Sequence, residues 1–283
     1  MLPINPSAGP LAGSDDSTDR ALIAGRYRVE QRMAVGGMGV VYRVFDGTLR
    51  RHVALKQLLA VADAPRAARM FEREYHTLAG LKHPRIIQVY DYGIDAAGAY
   101  YTMELLDGQD LRELAPLPFD RACRYLRDVA SSLALLHARG LLHRDLSPRN
   151  VRITSDDRAK LIDFGVLSGF GKSGLTVGTP PYVPPESLQG APLDQRADLF
   201  ALGALAYWLL VGRHAFPART FDALPVAWSK APMAPSALAP RSEAFPQVPP
   251  ALDALILSLL SLNPLARPTS CAEVIARLSS IAH

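Results

Sequence analysis

The octapeptide HRDLSPRN, residues 143–150, decides how this chain is read. It sets a carboxylate, Asp145, and a carboxamide, Asn150, five residues apart, flanked by Arg144 and Arg149. A second short motif, DFG (163–165), places another carboxylate 18 residues after Asp145, directly behind the strand-like AKLI. Upstream of the octapeptide, Ala122, Leu126, Val129, Leu133 and Leu136 recur at helical spacing, which predicts a helix over 121–139.

Further from this centre the chain changes character. RYRVEQRM, GVVYRVFD and RHVALKQLL are short β-branched runs, and Asp46-Gly47 is a turn signal between the last two. Phe71, Tyr75 and Leu78 predict a helix over 66–80, and IIQVYDYG and AYYTMELL read as two more strands. Beyond DGQDL the pattern is helical, with the apolar run LFALGALAYWLLVG (199–212) as a buried core helix and 217–250, studded with Pro and Ala, as mostly irregular chain. Residues 1–24 are rich in Pro, Gly, Ser and Asp and read as disordered. The expected class is α+β: an N-terminal tail (1–25), a small antiparallel sheet with one main helix (26–104), and a larger helical part (105–280).

Composition narrows the function. The 283 residues carry a net charge of +4 with scattered arginines, so no nucleic-acid footprint is evident. No apolar run is long enough for a membrane segment, and nothing resembles a signal peptide. Cys123 and Cys271 form no motif, which points to a reducing cytoplasm. Lysine occurs only at 56, 82, 160, 172 and 230, so the position of each is informative.

Five stretches in fixed order resemble the bacterial eukaryotic-like serine/threonine protein kinases: MAVGGMGVVY (33–42), VALK (53–56), HRDLSPRN, DFG and GTPPYVPPE (178–186). The resemblance covers roughly residues 26–280 and implies the two-lobed kinase fold. It also implies ATP and Mg²⁺, with Mn²⁺ as a substitute, and protein substrates offering Ser or Thr. Glycines at the first stretch would let backbone N–H groups close over a triphosphate. The nucleotide-binding set it implies is Ala34, Val35, Gly36, Gly37, Met38, Gly39, Val41, Ala54, Lys56, Met103, Glu104, Leu106 and Arg152, with Ala34 replacing the first glycine of the family pattern. Lys56 would meet the α and β phosphates and pair with Glu74 rather than Glu72; Asp145 would be the base; Asn150 and Asp163 would hold the metal. Phe164 would pack beneath the helix bearing Glu74, and His143 reads as a packed core residue. Thr179 would brace Asp145, Arg267 would pair with Glu186, and Asp198 would anchor the helical part.

Ser147 stands where the usual loop carries Lys, and Arg149, two residues on, could supply the missing charge to the γ-phosphoryl. With Ala34 and Arg152, this substitution keeps a pseudokinase scaffold as the alternative reading. A small-molecule kinase of the aminoglycoside type fits less well, because GTPPYVPPE points to a protein substrate, and with Thr179 it favours Ser/Thr over Tyr. Ser173 and Thr176 are candidate phosphosites in the segment 166–183, which implies a signalling phosphoprotein. A kinase dimer is a further partner the resemblance allows.

Overall fold

The structure, a computed structural model, describes residues 22–36, 39–59, 64–172 and 176–281. Six strands form one antiparallel sheet in the order β1-β2-β3-β4-β6-β5: β1 (Leu22–Ile23), β2 (Tyr27–Val35), β3 (Gly39–Asp46), β4 (Arg51–Leu58), β5 (Val89–Asp95) and β6 (Gly98–Met103). Central β4 buries Val53, Ala54 and Leu55 consecutively, which a half-exposed strand would not do. Val53 and Leu55 join a cluster with Ile23, Tyr27, Val44 and Tyr100 on one face. Ala54 joins the main core on the other, with Phe71 and Tyr101. That second face is covered by helix α1 (Ala64–Ala79), whose buried Phe71, Glu74 and Leu78 follow helical spacing.

The start of the chain departs from the expected tail. Leu22 and Ile23 pair with Arg28 and Tyr27, and Ile23 is buried. The left-handed backbone of Ala24 (φ 51) and Gly25 (φ 65) turns the chain back, so Ile23 reaches the core while Leu22 stays exposed on the edge strand. Arg26 then grips the buried Asp46 through two hydrogen bonds of 2.9 and 2.7 Å, while Asp46 also accepts the N–H groups of Thr48 and Leu49, closing the β3–β4 turn.

The strand expected over 86–93 begins only at Val89. Ile86 and Ile87 are buried instead, and this short segment stitches the two halves together: Ile87 N donates to Leu161 O and Leu161 N to Arg85 O, both at 2.9 Å. The neighbouring strand likewise ends at Met103, where Glu104 N turns away to Gln88 O. A small sheet below the junction pairs β7 (Gly108–Asp110), β9 (Val151–Thr154) and β10 (Ala159–Leu161), and β8 (Leu141–Leu142) pairs with β11 (Ser168–Gly169). β12 (Gly171–Lys172) pairs with β13 (Pro192–Leu193).

The helical half is built on α2 (Phe119–Ala138) and α4 (Gln195–Val211). α4 is buried on nearly every side, as its continuous apolar sequence requires. Asp194 caps its start through Arg196 N, and Gly212 ends it in the left-handed conformation. The stretch 217–250 is mostly irregular, with α5 (Leu224–Trp228) and α6 (Pro235–Leu238) as short helices; α3 (Pro185–Leu188), α7 (Pro250–Leu259) and α8 (Cys271–Ile281) complete the set.

One buried ion pair ties these pieces together. Arg267 meets both carboxylate oxygens of Glu186, at 2.5 and 2.9 Å, and also donates to the carbonyls of Arg196 and Ser261. Arg267→Ala would strand the Glu186 carboxylate without a cation, a loss of about 3–5 kcal/mol. Chemical denaturation should show the midpoint falling accordingly; a change within about 0.5 kcal/mol, typical of surface sites, would contradict this role.

Candidate active site

Lys56 leaves β4 on the face that α1 covers, because it lies two residues past Ala54. Its ammonium sits 2.8 and 3.1 Å from the two oxygens of Glu74, not Glu72. Burial by itself would lower the lysine's titration; the opposing influence of Tyr101, Glu74 and Asp163 raises it well above its ordinary value. The ammonium also lies 5.6 Å from the Tyr101 ring and 5.9 Å from that of Phe71. Ala54 and Met103 are register partners beneath the same sheet, and Val41 is opposite Lys56 on β3.

At the β2–β3 hairpin, Gly36 N donates to Gly39 O at 2.8 Å. A Cβ on Gly39 would come within 2.5 Å of Gln57 O, so the close approach of β3 to β4 excludes any side chain. Ala34 and Val35 end β2 exposed, and Gly37 and Met38 lie outside the described residues. At the junction Glu104 has little left to offer a ligand. Its carboxylate takes Lys160 Nζ at 2.5 and 2.6 Å and Gln88 N at 2.8 Å, leaving the backbone carbonyl. Leu106 is half-buried just beyond. The Arg152 head reaches Gly108 O at 3.2 Å, which lays its methylenes along β7.

The 143–150 loop is hung from a buried carboxylate on α4. Asp198 accepts His143 N and Arg144 N, each at 2.9 Å, and His137 Nε2 lies 2.8 Å away. Behind it, Cys271 Sγ is 3.5 Å from His137 Nδ1. Arg144 takes a left-handed backbone (φ 66) at this point. Asp145 is held at both oxygens: Oδ1 accepts the Thr179 hydroxyl at 2.8 Å and Oδ2 accepts Asn150 Nδ2 at 3.0 Å. Gly178 makes the Thr179 contact possible. Its φ is +112, and a Cβ there would stand 2.7 Å from Arg144 O. Ser147 is buried, and its hydroxyl has no hydrogen-bond partner among the described residues. Arg149 is exposed, close enough that its charge opposes the burial that pushes the Tyr182 phenol upward.

Asp163 is exposed, with Oδ1 accepting Gly165 N at 3.1 Å, and its charge is one of those that raise Lys56. The adjacent Phe164 is buried, its ring 5.2 Å from that of His143. Asn150 commits its amide nitrogen to Asp145, which leaves the carbonyl oxygen as the end a cation would take. Among the described residues no cluster of three or more His, Cys, Asp or Glu could hold a metal alone. One carboxylate and one amide oxygen suit a hard ion that keeps its other positions for water and phosphate oxygens, as Mg²⁺ does. Of the candidate phosphosites, Thr176 donates to Ser187 O at 3.5 Å, and Ser173 lies outside the described residues.

The geometry is that of a protein kinase, and residues 27–278 match the family described as protein kinase domain; the chain belongs to that family. Several of its relatives are named as bacterial serine/threonine-protein kinases. It is 34% identical to the serine/threonine-protein kinase PknL of Mycobacterium tuberculosis, over 96% of this chain and 69% of PknL. It is 34% identical to the serine/threonine-protein kinase pkn3 of Myxococcus xanthus, over 92% of this chain and 50% of that protein. A probable serine/threonine-protein kinase of Clostridium acetobutylicum is 31% identical over 92% of this chain, which spans only 40% of that protein. Among the described residues no helix is long and apolar enough to cross a membrane.

Three contributors escaped the sequence reading: His137, Tyr101 and Lys160. Each acts on a partner far away in sequence, and only the scarcity of lysine could have drawn attention to Lys160. The Asp198 anchor also yields a pH prediction. Burial alone would raise its titration, but the His137 hydrogen bond, the charges of His137 and His143 and the Arg144 N–H hold it below the ordinary value of about 4. A depressed carboxylate contributes stability that is present above its unfolded pKa and lost as pH falls through the folded one. Asp198→Asn should therefore be less stable than wild type at neutral pH, with the gap closing in acid. A gap in melting temperature that stays constant from neutral pH into strong acid would refute the assignment.

Proposed function

We propose that this chain transfers the γ-phosphoryl group of ATP to Ser and Thr hydroxyls of proteins, its own 166–183 segment included. The observation that carries the reading is the assembled Lys56–Glu74 pair, present together with an Asp145 braced at both oxygens. Residues 26–104 and 105–280 serve as its two lobes. Lys56 meets the α and β phosphates and the glycine hairpin covers them. Asp145 orients the acceptor hydroxyl and takes its proton as the oxygen–phosphorus bond forms and the bond to the ADP oxygen breaks. Asn150 and Asp163 hold Mg²⁺, which neutralises phosphate charge when bound. Both cysteines are buried and unpaired, which fits work in a reducing cytoplasm.

The test is incubation with labelled ATP and Mg²⁺, followed by mass spectrometry of the modified residues. Wild type should label Ser and Thr, Thr176 among them, while Asp145→Asn should bind nucleotide and transfer nothing. Asp163→Asn should also lose Mg²⁺-dependent nucleotide binding. Equal labelling by wild type and Asp145→Asn would refute the base. Binding without transfer by wild type would establish the scaffold alternative.

The cation at the transferring phosphoryl is assigned to Arg149. Ser147 carries no charge and is turned into the interior, whereas Arg149 is exposed two residues on, with its charge bearing on Tyr182 in the GTPPY stretch. Loss of one such contact costs about 3 kcal/mol of barrier. Arg149→Ala should thus lower turnover by about 10²–10³ with little change in nucleotide affinity, and Ser147→Ala should turn over nearly as wild type. Wild-type turnover in Arg149→Ala would move the charge elsewhere.

A further inference from the structure

Tyr101 belongs to none of the motifs, yet its hydroxyl donates to Glu74 Oε1 at 2.9 Å. This is the oxygen that also takes the shorter contact from Lys56, at 2.8 Å. The arrangement follows from the sheet. Tyr101 lies directly opposite Lys56 in the β4–β6 register, so both side chains rise from the same face, under α1. The ring is held from above by Phe71, one turn before Glu74, with centroids 5.0 Å apart, and by Tyr75 at 6.0 Å. Tyr101 is 2% exposed and Glu74 4%, so neither group has water to replace the other. Burial foremost keeps the phenol protonated, and therefore a donor.

We propose that Tyr101 is a positioning residue that anchors Glu74, and with it helix α1, to the sheet independently of Lys56. If Lys56 were the sole partner of Glu74, an ammonium turning toward phosphate oxygens would loosen the helix it holds. With Tyr101 in place, the carboxylate keeps one bond while Lys56 is shared. The docked helix is then a property of the sheet itself. This inference rests on the phosphate-binding role proposed for Lys56.

Tyr101→Phe removes the hydroxyl and leaves the ring between Phe71 and Tyr75. The fraction of molecules with α1 docked falls, and apparent affinity for the phosphates falls with it. A buried hydrogen bond to a charged acceptor is strong enough to make this about tenfold. The experiment is calorimetric titration of ATP with Mg²⁺, and separately of adenosine, into wild type, Tyr101→Phe, Glu74→Gln and the double variant. Hydrogen exchange over 64–79 is measured in the same proteins.

Tyr101→Phe should weaken ATP about tenfold, leave adenosine within about twofold, and speed exchange in α1 but not α4. In kinetics, KM for ATP should rise while kcat stays within about twofold. In the Glu74→Gln background the Tyr101 change should add less than about twofold. Unchanged ATP affinity, equal loss for ATP and adenosine, or full additivity with Glu74→Gln would each overturn the proposal. If wild type binds ATP no better than adenosine, the Lys56 role fails instead. The α1 exchange rates then decide on Tyr101: faster in Tyr101→Phe supports the anchor, unchanged refutes it.

Discussion

The Asp198 carboxylate, buried at the head of α4, is the constraint on which the reactive half depends. A carboxylate out of water must be surrounded by donors, and here these are two backbone N–H groups of the 143–150 loop and the His137 ring. Satisfying Asp198 therefore fixes the backbone of His143 and Arg144, and so the direction in which Asp145 leaves the chain. From there the bonds run outward: Asp145 to Asn150 and Thr179, and Asn150 O to Ile162 N, next to Asp163. A loop with little regular structure is positioned because each member answers a buried polar group. α4 can act as the foundation because its apolar sides lock it into the core.

The opposite wall of the cleft is built on a different principle. Lys56 and Tyr101 are placed by strand register and Glu74 by helical spacing, so regular secondary structure does the positioning. Among the connections between the walls, two reach β10. One is the Ile86–Leu161 seam of backbone hydrogen bonds, and the other is the Lys160–Glu104 pair, which pins the junction to β10 two residues before Ile162. Both attach to the strand that leads into DFG, so the height of Asp163 is referred to both halves at once.

The sequence made some of this legible and hid the rest for physical reasons. Periodicity marked α1, α2 and the buried α4, because each buries a stripe or a whole surface that composition must reflect. It failed at Leu22–Ile23, where two apolar residues are too short a run to signal a strand, and at Ile86–Ile87, where burial comes from a seam between halves. In the site, Asp145, Asn150, Asp163 and Lys56 lie in contiguous motifs and could therefore be singled out as candidates. Glu74 over Glu72 followed from the motif spacing, and the structure pairs Lys56 with it. Tyr101 could not be named, since a tyrosine in a strand is ordinary until a register partner and a covering helix are known. Nothing local to Glu104 shows that its carboxylate meets Lys160, 56 residues away.

The division of labour between arginine and lysine follows the same physics. Arginine makes the braces that must hold one geometry: Arg26 on Asp46, Arg158 on Asp128 and Arg267 on Glu186, each meeting both oxygens of a carboxylate. A planar fork with fixed donors is suited to that, and costs more to reorient. Lysine is the minority cation, and Lys56 and Lys160 both sit against the cleft or its hinge, each meeting a carboxylate with one compact ammonium. Such a group can rotate its three donors and keep one partner while it gains another. In a chain with 31 basic residues, a lysine at position 56 suits the shared contact proposed for it. An arginine in its place would hold Glu74 through a planar fork whose remaining N–H donors point in fixed directions, as those of Arg267 do, so they could not be re-aimed at an arriving phosphate without turning the whole group.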